Sequence, residues 1–366
     1  MRALLPLTVS VLALFAVIPA SAQMKPDTAG MKTQSIEVTA RPIATFARNG
    51  QEKPNPKLEW RGGLVLTSPS SYFGGWSGLL LSGDGKSLTA VSDAGMWMTG
   101  EIAYDDGERP KALRAVRVGA LKALKGLPLR RARDRDAEAI TLASGSVGKG
   151  TAYIAFEQND RIGVFPLDKN GIGAPTKYLE MPKEAARMRA DGFEALTVLA
   201  GGPNKGAVVA FAEHPLRGEK LHRGWIWGAG GPKGFVVPGV EGYGITDAAS
   251  LADGSVLILE RRFRWFEGVK IRLRHLAASS LKPGGTAAGE ILLEADSAME
   301  IDNLEALAVT EGAKGETVVT LMSDDNFNRF LQRTVLLQFT LKDAPNAAGK
   351  NENARSEKRA SNEEAN

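Results

Sequence analysis

The chain has 366 residues, 43% hydrophobic and 24% charged, with 41 glycines and only 7% aromatics; such a globular composition excludes collagen, a wholly disordered chain and a polytopic membrane protein. Zero cysteines remove disulfides, iron–sulfur clusters, Cys-ligated zinc and any cysteine nucleophile. The 46 basic side chains exceed the 42 acidic ones by only four, too slight a bias to point to nucleic acid or a membrane surface.

Residues 1–22 have the layout of an export signal. Arg2 supplies the positive start, Leu4 to Ile18 is nearly continuous hydrocarbon, Pro19 breaks the run, and Ala20-Ser21-Ala22 offers the small-x-small cleavage pattern. The apolar run is shorter than the ~20 residues needed to cross a bilayer. The expectation is a mature chain from about Gln23, periplasmic or secreted, with no membrane span left after cleavage. Residues 23–55 are polar and proline-bearing and are expected to be a linker, with one alternating stretch, Ser35 to Ala40, able to pair as a strand. Residues 56–342 hold the folded domain. Residues 343–366 have almost no apolar side chains and interleaved charges, so they cannot offset the entropy of ordering and are expected to be disordered.

Between residues 77 and 325 one pattern recurs: a small or acidic residue, an apolar strand, a Gly-rich turn, a second apolar strand and an acidic end. Its copies start at Ser77, Glu138, Glu194, Asp247 and Glu305 and end at Asp93, Glu157, Glu213, Glu260 and Asp324 or Asp325. The steps are 61, 56, 53 and 58 residues (77 to 138, 138 to 194, 194 to 247, 247 to 305). A period of this length with several short strands per unit predicts an all-β propeller of four-stranded blades. Five units are counted directly, and a sixth could be built from the N-terminal segment. The last unit lacks a fourth strand, and the stretch Leu58 to Leu66 has no hairpin of its own, so it is expected to close the ring by joining the final blade.

Antiparallel first and second strands put the start of one and the end of the other on the same face. The two sets of acids should therefore converge on one mouth of the central tunnel. Four residues after the second acid an arginine recurs: Arg161, Arg217, Arg264 and Arg329. Crowded carboxylates need compensation. Either each arginine forks onto its own acid and the ring is structural, or Asp93, Glu157, Glu213, Asp247, Glu260, Asp324 and Asp325 hold a hard cation while the arginines meet an anionic small molecule. An oxygen-only donor set favours calcium, with magnesium as the alternative, over zinc. Glu138, Glu194 and Glu305 are then the candidate catalytic carboxyls, and His214, beside Glu213, is a candidate acid or base. The basic run Lys122 to Arg135 should hang beside the same mouth, either as a solvated loop or as an anion collector. A serine-hydrolase elbow is unsupported, because Gly75-Trp76-Ser77-Gly78-Leu79 ends in leucine.

The segments Asp134-Arg135-Asp136-Ala137-Glu138-Ala139-Ile140, Asp191-Gly192-Phe193-Glu194-Ala195-Leu196 and Ile301-Asp302-Asn303-Leu304-Glu305-Ala306-Leu307 resemble repeats of the phytase-like domain family, as do Gly74 to Leu79, Ala90 to Asp93 and Ser323 to Phe327. The resemblance covers about residues 60–341, with Ala where the usual form has Gly after the glutamate. It implies a secreted β-propeller and a hydrolase of phosphoric or carboxylic esters. The competing expectation is a non-catalytic periplasmic binding propeller; in either case a monomer is expected.

Overall fold

A computed structural model describes residues 25–342 except 53, 189–191 and 241. The residues expected to form an export signal, those expected to be a disordered tail, and Asp191 lie outside the described residues. Two short N-terminal strands, β1 (Gln34–Ser35) and β2 (Thr39–Ile43), and the long β3 (Leu58–Thr67) come first. Blade 1 follows with β4 (Trp76–Leu81), β5 (Ser87–Ser92), β6 (Met96–Tyr104) and β7 (Pro110–Ala120). Blade 2 has β8 (Ala137–Ser146), β9 (Lys149–Phe156), β10 (Arg161–Asp168), β11 (Gly171–Ile172) and β12 (Lys177–Tyr178). Blade 3 has β13 (Phe193–Val198), β14 (Val208–Ala212), β15 (His222–Gly228) and β16 (Gly231–Val237). Blade 4 has β17 (Gly244–Ser250), β18 (Val256–Arg264), β19 (Gly268–Leu276) and β20 (Gly289–Ala295), and blade 5 has β21 (Leu304–Glu311), β22 (Thr317–Ser323) and β23 (Thr334–Leu341).

Each blade is an antiparallel sheet whose first strand is innermost, and the inner strands touch in the closed order β4, β8, β13, β17, β21 and back to β4. The propeller therefore has five blades. The N-terminal segment does not make a sixth: β3 pairs antiparallel with β23, from Leu58 opposite Leu341 to Leu66 opposite Thr334, and β2 pairs outside it. β1 instead edges blade 1 against β7. Among the described residues no helix is long and apolar enough to cross a membrane.

The core explains why the middle strands read as unbroken apolar runs. Five buried clusters fill the five wedges between neighbouring blades. Along β18 the side chains alternate between two of them: Val256 and Ile258 face blade 3, whereas Leu257 and Leu259 face blade 5. A sheet covered on both faces needs apolar residues at every position of its middle strands, not at every second one. Near the axis the inner strands come so close that side chains must be small. A Cβ on Gly78 would lie 2.9 Å from the Ile140 nitrogen and 3.0 Å from Ala139 Cα. The equivalent places in blades 2, 3 and 5 hold Ala139, Ala195 and Ala306.

Candidate functional site

Every inner strand begins with a β-bulge. The register skips Ser77, Glu138, Glu194, Thr246 and Glu305 in blades 1 to 5. A bulge leaves its extra residue outside the ladder and re-aims the side chain, and here three of the five are glutamates at the mouth. On the second strand, Asp93, Glu157, Glu213 and Asp324 directly follow the residue paired to the bulge's outer flank.

Blade 4 is displaced by one residue from the spacing-based alignment. Ile245 pairs with Glu260 and Asp247 with Leu259, so the positions equivalent to the ring acids are Thr246 and Arg261. Asp247 stands where the other blades have Gly or Ala. Its carboxylate accepts the Leu307 N–H at 2.7 Å and the Ala248 N–H at 2.8 Å, tying the inner strand of blade 4 to that of blade 5. Glu260 is fully buried and forked by Arg274, with Nε 2.8 Å from Oε2 and Nη2 2.8 Å from Oε1. Asp325 accepts the Gly75 N–H at 3.2 Å and the Phe327 N–H at 3.0 Å, latching blade 5 to the loop before β4. These three candidates hold blades and loops in place.

The remaining candidates converge. Asp93, Glu138, Glu157, Glu194, Glu213, Glu305 and Asp324 share one electrostatic field. Burial, and then the repulsion of neighbouring carboxylates, holds Glu138, Glu194 and Asp324 well above the usual carboxylate range. Burial raises Glu305 as well, against Arg261, and it shares a hydrogen bond with Asp324. Asp93 is pushed by burial up to about 7, with Lys25 opposing. Asp136, two residues before Glu138, joins them. Carboxylate oxygens of Asp136, Glu138 and Glu157 all lie within 4.8 Å of one another, a hard-oxygen set of the kind that suits calcium or magnesium. His214 stands at the rim, with Nδ1 2.9 Å from Glu213 Oε2.

Three of the four recurring arginines make their contacts away from their own acids. Arg161 stacks on Phe156, 3.9 Å from the ring centre, and donates to the Asn159 carbonyl at 2.8 Å and to that of Asp134. Arg329 clasps the carbonyls of Ser68, Ser70 and Phe73. Arg264 pairs with Glu267 at 3.1 Å, and Arg217 is exposed. The positive charge in the ring comes from two residues that the sequence did not single out. Arg261 reaches Glu213 at 3.4 Å and Glu305 at 3.5 Å. Burial works against its charge, but Glu305, Glu213, Glu194 and Asp324 more than restore it. Lys25, from the segment before β1, places Nζ 3.0 Å from Asp93 and 2.9 Å from Asp136. Of the missed residues, Asp136 had a visible signal: it and Asn303 occupy the same place two residues ahead of a ring glutamate.

Two clefts open beside the ring. One of about 430 Å³ is lined by Arg130, Arg131, Asp134, Asn159, Arg161 and Tyr178. The other, about 510 Å³ between blades 4 and 5, includes Arg261, Phe263, Asn303 and Leu331, with Trp265, Phe266 and Phe330 exposed nearby in the sequence.

A family model described as Phytase-like, esterase-like activity of phytase, matches residues 71–327. No curated protein matches the chain in sequence. Among solved structures it is similar to one titled "Structure of Dos1 propeller", at 9% identity and a TM-score of 0.33 over 76% of this chain and 73% of that one.

Proposed function

The chain belongs to the phytase-like family, and from that premise we propose that it is an exported, divalent-cation-dependent hydrolase of a phosphorylated or ester small molecule, working at the acidic mouth. The carrying observation is the Asp136, Glu138 and Glu157 group, three carboxylates within 4.8 Å whose mutual repulsion raises Glu138 further than burial alone. That donor set fits calcium or magnesium, which when bound would polarise a phosphoryl or carbonyl oxygen. Around it, Arg261 would attract the anionic end of the substrate from the cleft between blades 4 and 5, and Arg130 and Arg131 would raise the local concentration of anions. Glu194, kept protonated by burial and then by Glu138 and Glu213, would give a proton to the leaving oxygen. His214, against Glu213, would take one from water. The N-terminal pattern from Arg2 to Ala22 supports export.

Calorimetric titration with calcium and magnesium, beside a Glu138→Ala/Glu194→Ala variant, tests the cation. Wild-type binding that the variant loses is expected; no binding by the wild type removes the metal mechanism. A panel of p-nitrophenyl phosphate, phytate and short acyl esters, with and without calcium, tests turnover. Glu194→Gln should lower kcat by about 100-fold or more. The exposed Trp265, Phe266 and Phe330 favour the second function, a non-catalytic binding propeller, which predicts no turnover with any substrate or cation.

A further inference from the structure

We propose that Lys25 is a tethered cation that occupies the Asp93–Asp136 position of the mouth and competes there with any soluble cation. The inference rests on the cation site proposed above. Its ammonium bridges two blades, 3.0 Å from Asp93 of blade 1 and 2.9 Å from Asp136 in the loop that enters blade 2. Both acceptors are buried. Asp136 is also one of the three carboxylates grouped closely enough to hold a metal, so the lysine and a metal would claim the same carboxylate.

The arm that carries this lysine is built to peel away. From Thr28 onward the chain is fastened: the buried Thr28 hydroxyl donates to the Ala94 carbonyl at 2.9 Å, and Gln34 and Ser35 pair with β7. Ahead of Thr28 the fastening is by charge. Asp27, 78% exposed, meets Arg135 at 2.6 Å, and the Lys25 side chain is 48% exposed even with its head in place. An ammonium on so short a tether has an effective concentration on the order of millimolar. A soluble cation must displace it, so its apparent affinity is lowered by the fraction of molecules in which the arm is seated.

The experiment compares full-length wild type with Lys25→Ala, Lys25→Met and Lys25→Arg, titrated with calcium by calorimetry. The methionine variant keeps the length and packing of the stem, and thermal melts confirm that each variant is folded. Removing the charge should tighten calcium binding about tenfold or more, while Lys25→Arg should bind as the wild type does. Equal affinities in wild type, Lys25→Ala and Lys25→Met would overturn the tethered competitor and leave the cation site standing. If no chain binds calcium or magnesium, the divalent site falls, and ethylammonium chloride decides the tether. A raised melting temperature in Lys25→Ala alone, matched against sodium chloride, supports it, and no difference between Lys25→Ala and wild type overturns it.

Discussion

Asp93 makes the stability of this propeller fall as pH rises, the reverse of ordinary acid denaturation. Burial lifts its carboxyl from 3.8 to about 7 in the folded chain, despite Lys25, whereas the unfolded chain ionises near 3.8. Between those values the native state holds a proton that the unfolded state has released, so the slope of unfolding free energy against pH is negative. Stability is lost from about pH 4 to about pH 7 and levels off above. A difference of about three pKa units corresponds to about 4 kcal/mol over the whole window, of which about 3 kcal/mol falls between pH 5 and pH 8. Asp93→Asn keeps the shape and removes the ionisation. Glu138, Glu194 and Asp324 are raised in the same sense and slope both proteins alike, except that Asp93 itself contributes to the shifts of Glu138 and Asp324. Urea unfolding at pH 5, 6, 7 and 8, at constant ionic strength with a chelator, should show the wild type losing about 3 kcal/mol more than Asp93→Asn across the range. Parallel profiles, or a wild type more stable at pH 8 than at pH 5, would show that folding does not hold a proton on Asp93.

Arg274→Met leaves Glu260 buried without its fork and should cost about 3–5 kcal/mol, with part of it recovered by adding Glu260→Gln; a loss within the error of urea unfolding would show that the pair is not holding blade 4. Gly75→Ala puts a Cβ 2.2 Å from Asp93 Oδ1 at a φ of +68°, so it should destabilise by about 1–3 kcal/mol and weaken any cation binding, read from melts and calorimetry. Wild-type stability in that variant would mean the loop before β4 is not fixed. A chain starting at residue 70 lacks β3, and with it Leu64, Val65 and Leu66, whose side chains fill the wedges on either side of blade 5. It should lose cooperative unfolding by circular dichroism, and a sharp monomeric transition would contradict closure by that strand.

The repeat carried the architecture in plain view. Five hairpins at steps of 53 to 61 residues fix the blades, and a strand at 58–66 without a partner can only complete the blade that lacks one. The site was legible where the acid coincides with the bulge, as at Glu138, Glu194 and Glu305. It misaligned in blade 4 because a bulge is a property of pairing, not of the chain. Asp247 and Glu260 matched the expected charges, while the clue lay in the flanking apolar residue: Ala137, Phe193 and Leu304 each precede the bulged position, and so does Ile245. Arg261 was hidden by that one-residue offset. Lys25 carried no local signal, since it meets Asp136 across 111 residues through a contact that only the closed ring creates. Arg161, Arg264 and Arg329 recur at one spacing yet make loop contacts, the first two close to their own strands and the third across to the loop before β4, which spacing alone cannot tell from service to a common centre.

The seam between β3 and β23 also sets how the molecule yields to force. Leu58 and Leu341 face each other at one end of the pairing, so the start of β3 and the end of β23 leave the sheet side by side. Tension applied at those two points would load the ladder rung by rung, as a zipper opens, instead of shearing all its rungs together. A translocating or unfolding machine that pulls on the C-terminal side of β23 would therefore meet this seam before any other blade.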